Sequence, residues 1–415
     1  MTRQERKGWF LVGSLFVTLL LVFGSGYNTL PVFLPALYKG FGWDRAQVSM
    51  LATVLAASAG LSGLLVGWLI DRIEARFVMA AGVVLTGVSF LMASVSHSLG
   101  AMVCAYLLDG IGIAAGTVLP ASLVLANWFS ERRGLAMGIA ISGTTFGGMV
   151  MTLAASYVIR HWGWRPAYGA LAILMIVIAI PLVLLTVKSR PQGAQTKTVA
   201  QSADDLEGFE TAAAFRTRSF WMIVLTQFCF AFAAAGVVIH LVAYLLGLGY
   251  GASVAALAVS LVFGCAACGK ILMGLLADRV TGRFALGLNF AIQACGLSIG
   301  FSAGHGAILV VFVLIFGLTL GAPLMLIPLV IAESMGLRRY GAISGLTALA
   351  GTTGAALGPL VAGRVFDLTR SYTFAFELFI AIYIIGSIAS FVCRSYAAER
   401  SLALRVAPTV QPAGR

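Results

Sequence analysis

Gly67-Trp-Leu-Ile-Asp71-Arg72-Ile-Glu-Ala-Arg76 and Gly274-Leu-Leu-Ala-Asp278-Arg279-Val-Thr-Gly-Arg283 are two copies of one pattern, each at the charged end of a long apolar run. The step from Gly67 to Gly274 is 207 residues, and the pairs Gly110/Gly317, Gly134/Gly341, Gly138/Gly345 and Gly147/Gly354 repeat it. A register held over so much chain implies two halves of one architecture, each built from the same series of helices. In a membrane protein, paired halves imply alternating access, in which one half rocks against the other around a central site.

Composition supports a membrane chain. Hydrophobic residues make up 60% of the sequence and charged residues 10%, with a mean hydropathy of +0.99, outside the range of soluble domains. A spanning helix needs about 20 apolar residues. Twelve runs qualify, centred near residues 20, 57, 88, 112, 147, 177, 232, 266, 294, 319, 351 and 384. Together they occupy roughly 240 to 280 residues, leaving short loops, one connector and two tails. No soluble catalytic domain fits, and no nucleophile–base set, metal cluster or phosphate loop is apparent, so an enzyme is not expected. The expected fold is all-α: a six-helix bundle over 1–187, a connector over 188–217, a second six-helix bundle over 218–397 and a tail over 398–415. The connector is polar and non-periodic, running from Lys188 and Arg190 to Asp204, Asp205, Glu207 and Glu210.

The formal charge of +12 is explained by topology rather than by nucleic acid. With a cytoplasmic N-terminus and an even number of spans, twenty of the 27 Lys and Arg residues fall on the cytoplasmic side. Lys39, Arg45, Arg160, Arg165, Arg364 and Arg370 fall opposite, and Lys270 lies inside a span. This positive-inside bias places both termini in the cytoplasm of a multi-pass cell (inner) membrane protein. All six cysteines lie in apolar spans, so no disulfide framework is expected. Cys265-Ala-Ala-Cys268 reads as packing, and no metal or cofactor is implied. The first apolar run is as long as a span and continues into Gly-rich sequence, unlike a cleavable signal peptide. Small residues one turn apart, such as Gly63/Gly67, Gly143/Gly147 and Gly354/Gly358, predict close helix contacts. Pro31, Pro35, Pro120, Pro323, Pro328 and Pro359 can open local bends.

The duplicated Gly-x-x-x-Asp-Arg-x-x-x-Arg pattern resembles the cytoplasmic loop motif of the major facilitator superfamily, which follows the second and eighth spans. An acid at a helix end, with bases just beyond it, can pair with those bases and with helix dipoles of the other half. Asp71, Arg72, Arg76, Arg132, Arg133, Asp278, Arg279 and Arg283 are therefore the expected cytoplasmic gate. A second segment, Asn127-Trp-Phe129-Ser-Glu-Arg132-Arg133-Gly134-Leu-Ala-Met-Gly138 through Gly147, resembles the signature entering span five of the monocarboxylate transporter family. Gly8-Trp9, Phe41-Gly-Trp43-Asp-Arg45 and Gly358-Pro359 through Tyr372 are similar to sequence of that family and of the related oxalate–formate antiporters. The resemblance covers most of the chain. It implies a small organic anion as substrate, possible proton coupling, a lipid surround and a functional monomer.

Lys270 lies eight residues before Asp278, two turns inside span eight. A charge at mid-helix costs about 3 kcal/mol on insertion scales, and such residues usually face a bundle interior or a water cavity. Ala266, Ala267 and Gly274 on its face are small and leave room for a ligand. The two readings are a Lys that snorkels to the interface and a cationic anchor for an anionic substrate. The resemblance implies the second, because Lys270 stands where relatives carry the span-eight Arg that binds carboxylate. Lys for Arg exchanges a bidentate fork for a point charge.

Two departures bear on coupling. Ala266 stands where mammalian relatives have an acid one turn before the cation, and Asn28 where they have a span-one Lys; both are implicated in proton coupling there. The oxalate carriers have a second cation in span eleven, where this chain has Thr352 in Ala348-Leu-Ala-Gly-Thr352-Thr353-Gly354. One central cation matches one carboxylate, so dicarboxylates are disfavoured. Tyr27, Asn28, His240 and Thr352 join Lys270 as expected substrate contacts. Asp109, the carboxylate well inside a span, reads as a proton relay, a neutral structural acid, or a partner of Lys270 in the empty carrier. His240 reads as a packing or a coupling residue, and the proton-coupling candidates are Lys270, Asp109 and His240. Competing readings are uptake of a larger aromatic or lactone-type acid, proton-driven drug efflux, and a non-transporting sensor. Efflux of cationic drugs would favour acidic pockets, and a sensor would need a signalling segment larger than 188–217 or the tail.

Overall fold

The computed structural model describes residues 3–189, 206–301 and 306–406. The expected connector at 190–205 and the end of the tail at 407–415, with Arg190, Lys197 and Arg415, lie outside the described residues. Eleven of the described helices are long and apolar enough to cross a membrane: α1 (Glu5–Asn28), α2 (Met50–Ile70), α3 (Ala75–Val95), α4 (Leu99–Trp128), α5 (Arg133–Trp162), α6 (Trp164–Thr186), α7 (Arg218–Gly247), α8 (Ser253–Val280), α10 (Gly306–Met335), α11 (Tyr340–Thr369) and α12 (Thr373–Val392). The twelfth, α9 (Gly282–Phe301), is 20 residues long, ends where the described residues stop, and carries Arg283, Asn289 and Gln293. Asn289 and Gln293 are wholly buried inside the bundle, so their polarity faces protein and not lipid.

Local chemistry sets the helix ends. The helix that carries α2 starts at Arg45 on a capping box, in which Asp44 Oδ1 accepts from Gln47 N (2.7 Å) and Gln47 Oε1 accepts from Asp44 N (3.1 Å). Ser98 caps α4 by accepting from Ala101 N. α4 breaks at Thr117, ahead of Pro120, and α10 breaks at Ala322, ahead of Pro323, as proline dictates. α1 widens into a π-turn over Gly24–Asn28, and a second π-turn, Met175–Ala179, interrupts α6.

The repeat governs the packing. In the first half α1 packs on α5, α2 and α3 on α4, and α3 on α6; in the second, α7 on α11, α8 and α9 on α10, and α9 on α12. Each of these helix pairings in one half has its counterpart in the other. The halves meet through α2 with α11 and α5 with α8. Many large apolar side chains, among them Leu61, Leu153, Leu185, Val177 and Leu360, remain exposed. Such a surface fits a lipid surround better than water.

Where the connector rejoins the described chain, it is tied to the second half. Phe209 N donates to Met335 O and Leu337 N to Glu207 O, both at 2.9 Å. Glu210 pairs with Arg338 (3.1 Å) and Arg339 (2.9 Å). The hydrogen bond from Arg339 holds the Glu210 carboxyl below its usual range. The following helix, Thr211–Ala214, leads into α7.

Candidate functional site

The duplicated motifs form two matched clips between the halves. Asp71, at the end of α2, accepts from Gly341 N (2.8 Å) and Ala342 N (2.9 Å), the first amides of α11. Asp278, at the end of α8, accepts from Gly134 N (2.6 Å) and Leu135 N (2.9 Å), the first amides of α5. Each carboxylate thus meets two unpaired donors at the positive end of a helix dipole. Glycine makes this approach possible. A Cβ on Gly67 would lie 2.2 Å from the Gly341 carbonyl oxygen, and one on Gly274 would lie 2.4 Å from that of Gly134. Burial lifts the Asp71 carboxyl to about 6, with the two amides pulling the other way. At neutral pH it is therefore mostly the carboxylate, the form that serves both amides.

The basic residues make their hydrogen bonds and ring contacts within their own halves, although the Arg133 charge also acts on Glu333 and Asp278 across the contact. Arg76 pairs with Glu74 at 2.7 Å, and Arg72 lies over the Trp68 ring. Arg133 donates to the Phe129 and Ala126 carbonyls at the end of α4, and Arg283 donates to Cys393 O at the end of α12. Arg279 and Arg132 are exposed. The acids, then, bridge the halves, while these arginines finish helix ends or pair locally.

Two turns further into α8, Lys270 is buried and also reaches α5. Its Nζ donates to Thr144 Oγ1 (2.7 Å), Thr145 Oγ1 (2.5 Å) and Ile141 O (3.3 Å). No carboxylate lies within salt-bridge distance of it among the described residues. The space that Ala266, Ala267 and Gly274 were expected to leave is taken up by close contact. A Cβ on Gly138 would lie 2.6 Å from the Lys270 carbonyl oxygen, and one on Gly321 would lie 2.9 Å from its Cε. Thr144 carries a second contact, because its carbonyl accepts from Asn28 Nδ2 at 2.9 Å. Thr152 Oγ1 donates to Asn28 O, so the π-turn of α1 is fastened to α5 from both sides. A π-turn inside a spanning helix is a frequent mark of a functional position.

The other expected site residues disperse. Asp109 is buried between helices of the first half, beside Thr86 and facing Gly26, and Lys270 takes its contacts from α5 instead. His240 is held at both ring nitrogens, by Pro359 O (3.0 Å) and Tyr372 Oη (3.2 Å). With Pro359 O as acceptor, Nε2 carries the hydrogen and Nδ1 accepts from the tyrosine. Tyr27 is half-exposed and stacks on Phe23 at 5.4 Å. Thr352 Oγ1 donates back to Ala348 O, and its side chain packs where a Cβ on Gly60 of α2 would sit. Thr144 and Thr145 had no place in the sequence-based site. The 207-residue register offered a signal for one of them, since Thr145 is the counterpart of Thr352.

Removing one of the two acceptor oxygens of a clip should open the basic end. An Asn can serve only one of the two amides and leaves the other donor unpaired, at a cost of about 1–3 kcal/mol. Asp71→Asn and Asp278→Asn are each expected to raise labelling of Ser344→Cys by a membrane-impermeant maleimide about tenfold, in a background without native cysteines. Ser344 is buried near the start of α11. Unchanged labelling in both variants would remove the clips from gating. Transport should fall more than binding, because alternation needs both states populated.

The Major Facilitator Superfamily profile matches residues 15–359. An uncharacterized MFS-type transporter of Bacillus subtilis, YcxA, is 26% identical over 90% of this chain and 91% of its own. Monocarboxylate transporter 13 of Rattus norvegicus is 28% identical over 92% and 87%. Among solved structures, the transporter FucP in its outward conformation superposes with a TM-score of 0.73 at 15% identity, covering 91% of this chain and 97% of that one. The proton:xylose symporter XylE superposes at 0.76 and 12% identity, over 94% and 96%.

Proposed function

The chain belongs to the Major Facilitator Superfamily, and from that premise we propose that it carries a small organic monocarboxylate across the cell membrane by alternating access. The observation that carries the reading is Lys270, a buried cation at the contact between the halves, whose partners among the described residues are neutral oxygens of α5. A cation so placed can exchange a hydroxyl partner for a carboxylate at little geometric cost and a large electrostatic gain. One cation serves one carboxylate. The similarity to monocarboxylate transporters agrees with that choice of substrate, and proton symport or anion exchange would move it.

The same geometry offers a route from binding to movement. Lys270 and Asp278 lie on α8, and both reach across to α5. A carboxylate that draws Nζ away from Thr144 and Thr145 loosens the α5–α8 contact just beyond the Asp278 clip. Binding energy then reports directly on the interface that must part. In this reading the basic end is cytoplasmic, as the positive-inside bias requires, and the conformation described is closed toward the cytoplasm. The halves divide at 188–217, and His240 serves packing at the far end of α7 rather than the substrate.

Counterflow in proteoliposomes tests the proposal. Vesicles preloaded with one candidate acid should accumulate the same labelled acid, across a panel from short monocarboxylates to aromatic and lactone-type acids and dicarboxylates. Saturable exchange confined to monocarboxylates supports the reading. Exchange of dicarboxylates or of uncharged amides with equal efficiency would remove it.

A further inference from the structure

Asp109 of α4 is not used by the anion site. Beside it lies a cavity of about 10 Å³, lined among others by Ser25, Thr29, Ser89, Tyr106, Asp109 and Tyr168, room for one water-sized particle. Every polar side chain in that lining ends in oxygen, and no Lys, Arg or His contributes. The Tyr106 and Tyr168 hydroxyls are bonded to each other at 2.6 Å, and the Thr29 hydroxyl donates to Ser25 O. Two buried oxygens remain without a hydrogen-bond partner among the described residues: Asp109 Oδ1 and Ser25 Oγ.

A carboxylate in so dry a place is costly unless a positive charge neutralises it. The polar groups around this ion-sized space are all oxygens, set among Leu30, Phe33, Phe90 and Ala93, and oxygen donors suit a hard cation. One carboxylate is too little charge for a divalent ion, and no cluster of three His, Cys, Asp or Glu occurs among the described residues. We propose that this cavity is a sodium site, with Asp109 Oδ1 supplying the charge, Ser25 Oγ a neutral ligand, and the remaining hydroxyls the surround. Ser25 belongs to the π-turn of α1, and irregular backbone of this kind is where membrane carriers place coupling ions. The same turn offers Asn28 to the Thr144 carbonyl, while the Thr144 hydroxyl receives Lys270. Sodium at Asp109 would therefore fix the turn that supports the anion anchor, a second cation input separate from Lys270.

The test uses sodium alone, without organic substrate, and so is independent of the proposed cargo. Purified full-length protein at neutral pH should bind ²²Na⁺ saturably and melt at a higher temperature in NaCl than in choline chloride or KCl. Asp109→Asn should abolish both effects, and Ser25→Ala should weaken sodium binding at least about tenfold, as loss of supporting contacts does at ion sites. If Asp109→Asn does not fold, Ser25→Ala carries the test. Absence of saturable binding overturns the site, as does binding that survives both substitutions. Stabilisation that follows pH and ignores sodium would assign the carboxylate to a proton instead and overturn it too.

Discussion

Lys270→Ala and Lys270→Gln should abolish saturable uptake while leaving expression, membrane insertion and melting close to those of the parent. The side chain lies at the contact of α8 with α5, buried and held by three oxygens. Removing one member of a desolvated, hydrogen-bonded charge pair costs about 2–5 kcal/mol, and uptake should therefore fall roughly 30-fold at the least. Folding should suffer little, because the variants delete a buried charge that has no counterion among the described residues. The hydroxyls it leaves, Thr144 and Thr145, retain local acceptors in their helix, as Thr144 Oγ1 already does at Ile141 O. Amide and ester analogues of the substrate should not compete in the parent protein, since they offer Nζ no charge. Normal saturable uptake by Lys270→Ala would end the anchor reading, whatever its affinity for other ligands.

The repeat made the two clips legible before any coordinates. A fixed step of 207 residues paired Asp71 with Asp278 and Gly134 with Gly341, and the structure joins each acid to the glycine of the other pair. Helix ends of the other half were among the expected partners of the acids, and the structure places each acid on two amides there. Which amides these would be was not legible, because every residue has one. The arginines, expected as partners too, give their hydrogen bonds to helix ends or to local groups.

The inner site was only half legible. A lysine inside an apolar span draws notice on energetic grounds alone, but its partners are threonines. A threonine in a Gly-rich helix has the same appearance whether it bonds its own backbone or a cation from another helix. Thr144 and Thr145 lie about 125 residues from Lys270 along the chain, so no local pattern links them. His240 is conspicuous in a membrane helix, and sequence alone does not separate its packing from its coupling reading; in the structure both nitrogens are bonded, to Pro359 O of α11 and to Tyr372, just before α12. Asp109 was conspicuous too, and the cavity beside it depends on how five helices meet, which composition does not encode.

Lys270→Arg should separate binding from coupling. Ala266 and Asn28 occupy the positions where the resemblance to monocarboxylate transporters implies an acid and a base of a proton route. The described partners of Lys270 are neutral. If this ammonium is the proton carrier of the proposed symport, anion and proton enter together, one for one. A guanidinium stays protonated in proteins and cannot take part, although its fork binds a carboxylate well. The variant should thus keep substrate binding and homologous exchange within a few-fold of the parent. It should lose the accumulation driven by an imposed inward proton gradient, measured in the same vesicles and without sodium, so that any input through Asp109 is silent. Asp109→Asn and His240→Gln should reduce gradient-driven uptake less under those conditions, because neither side chain touches Nζ. If Lys270→Arg still concentrates substrate against its gradient, the proton travels by another group. Asp109 is then the first to test, as the remaining candidate not already closed at both ends by hydrogen bonds.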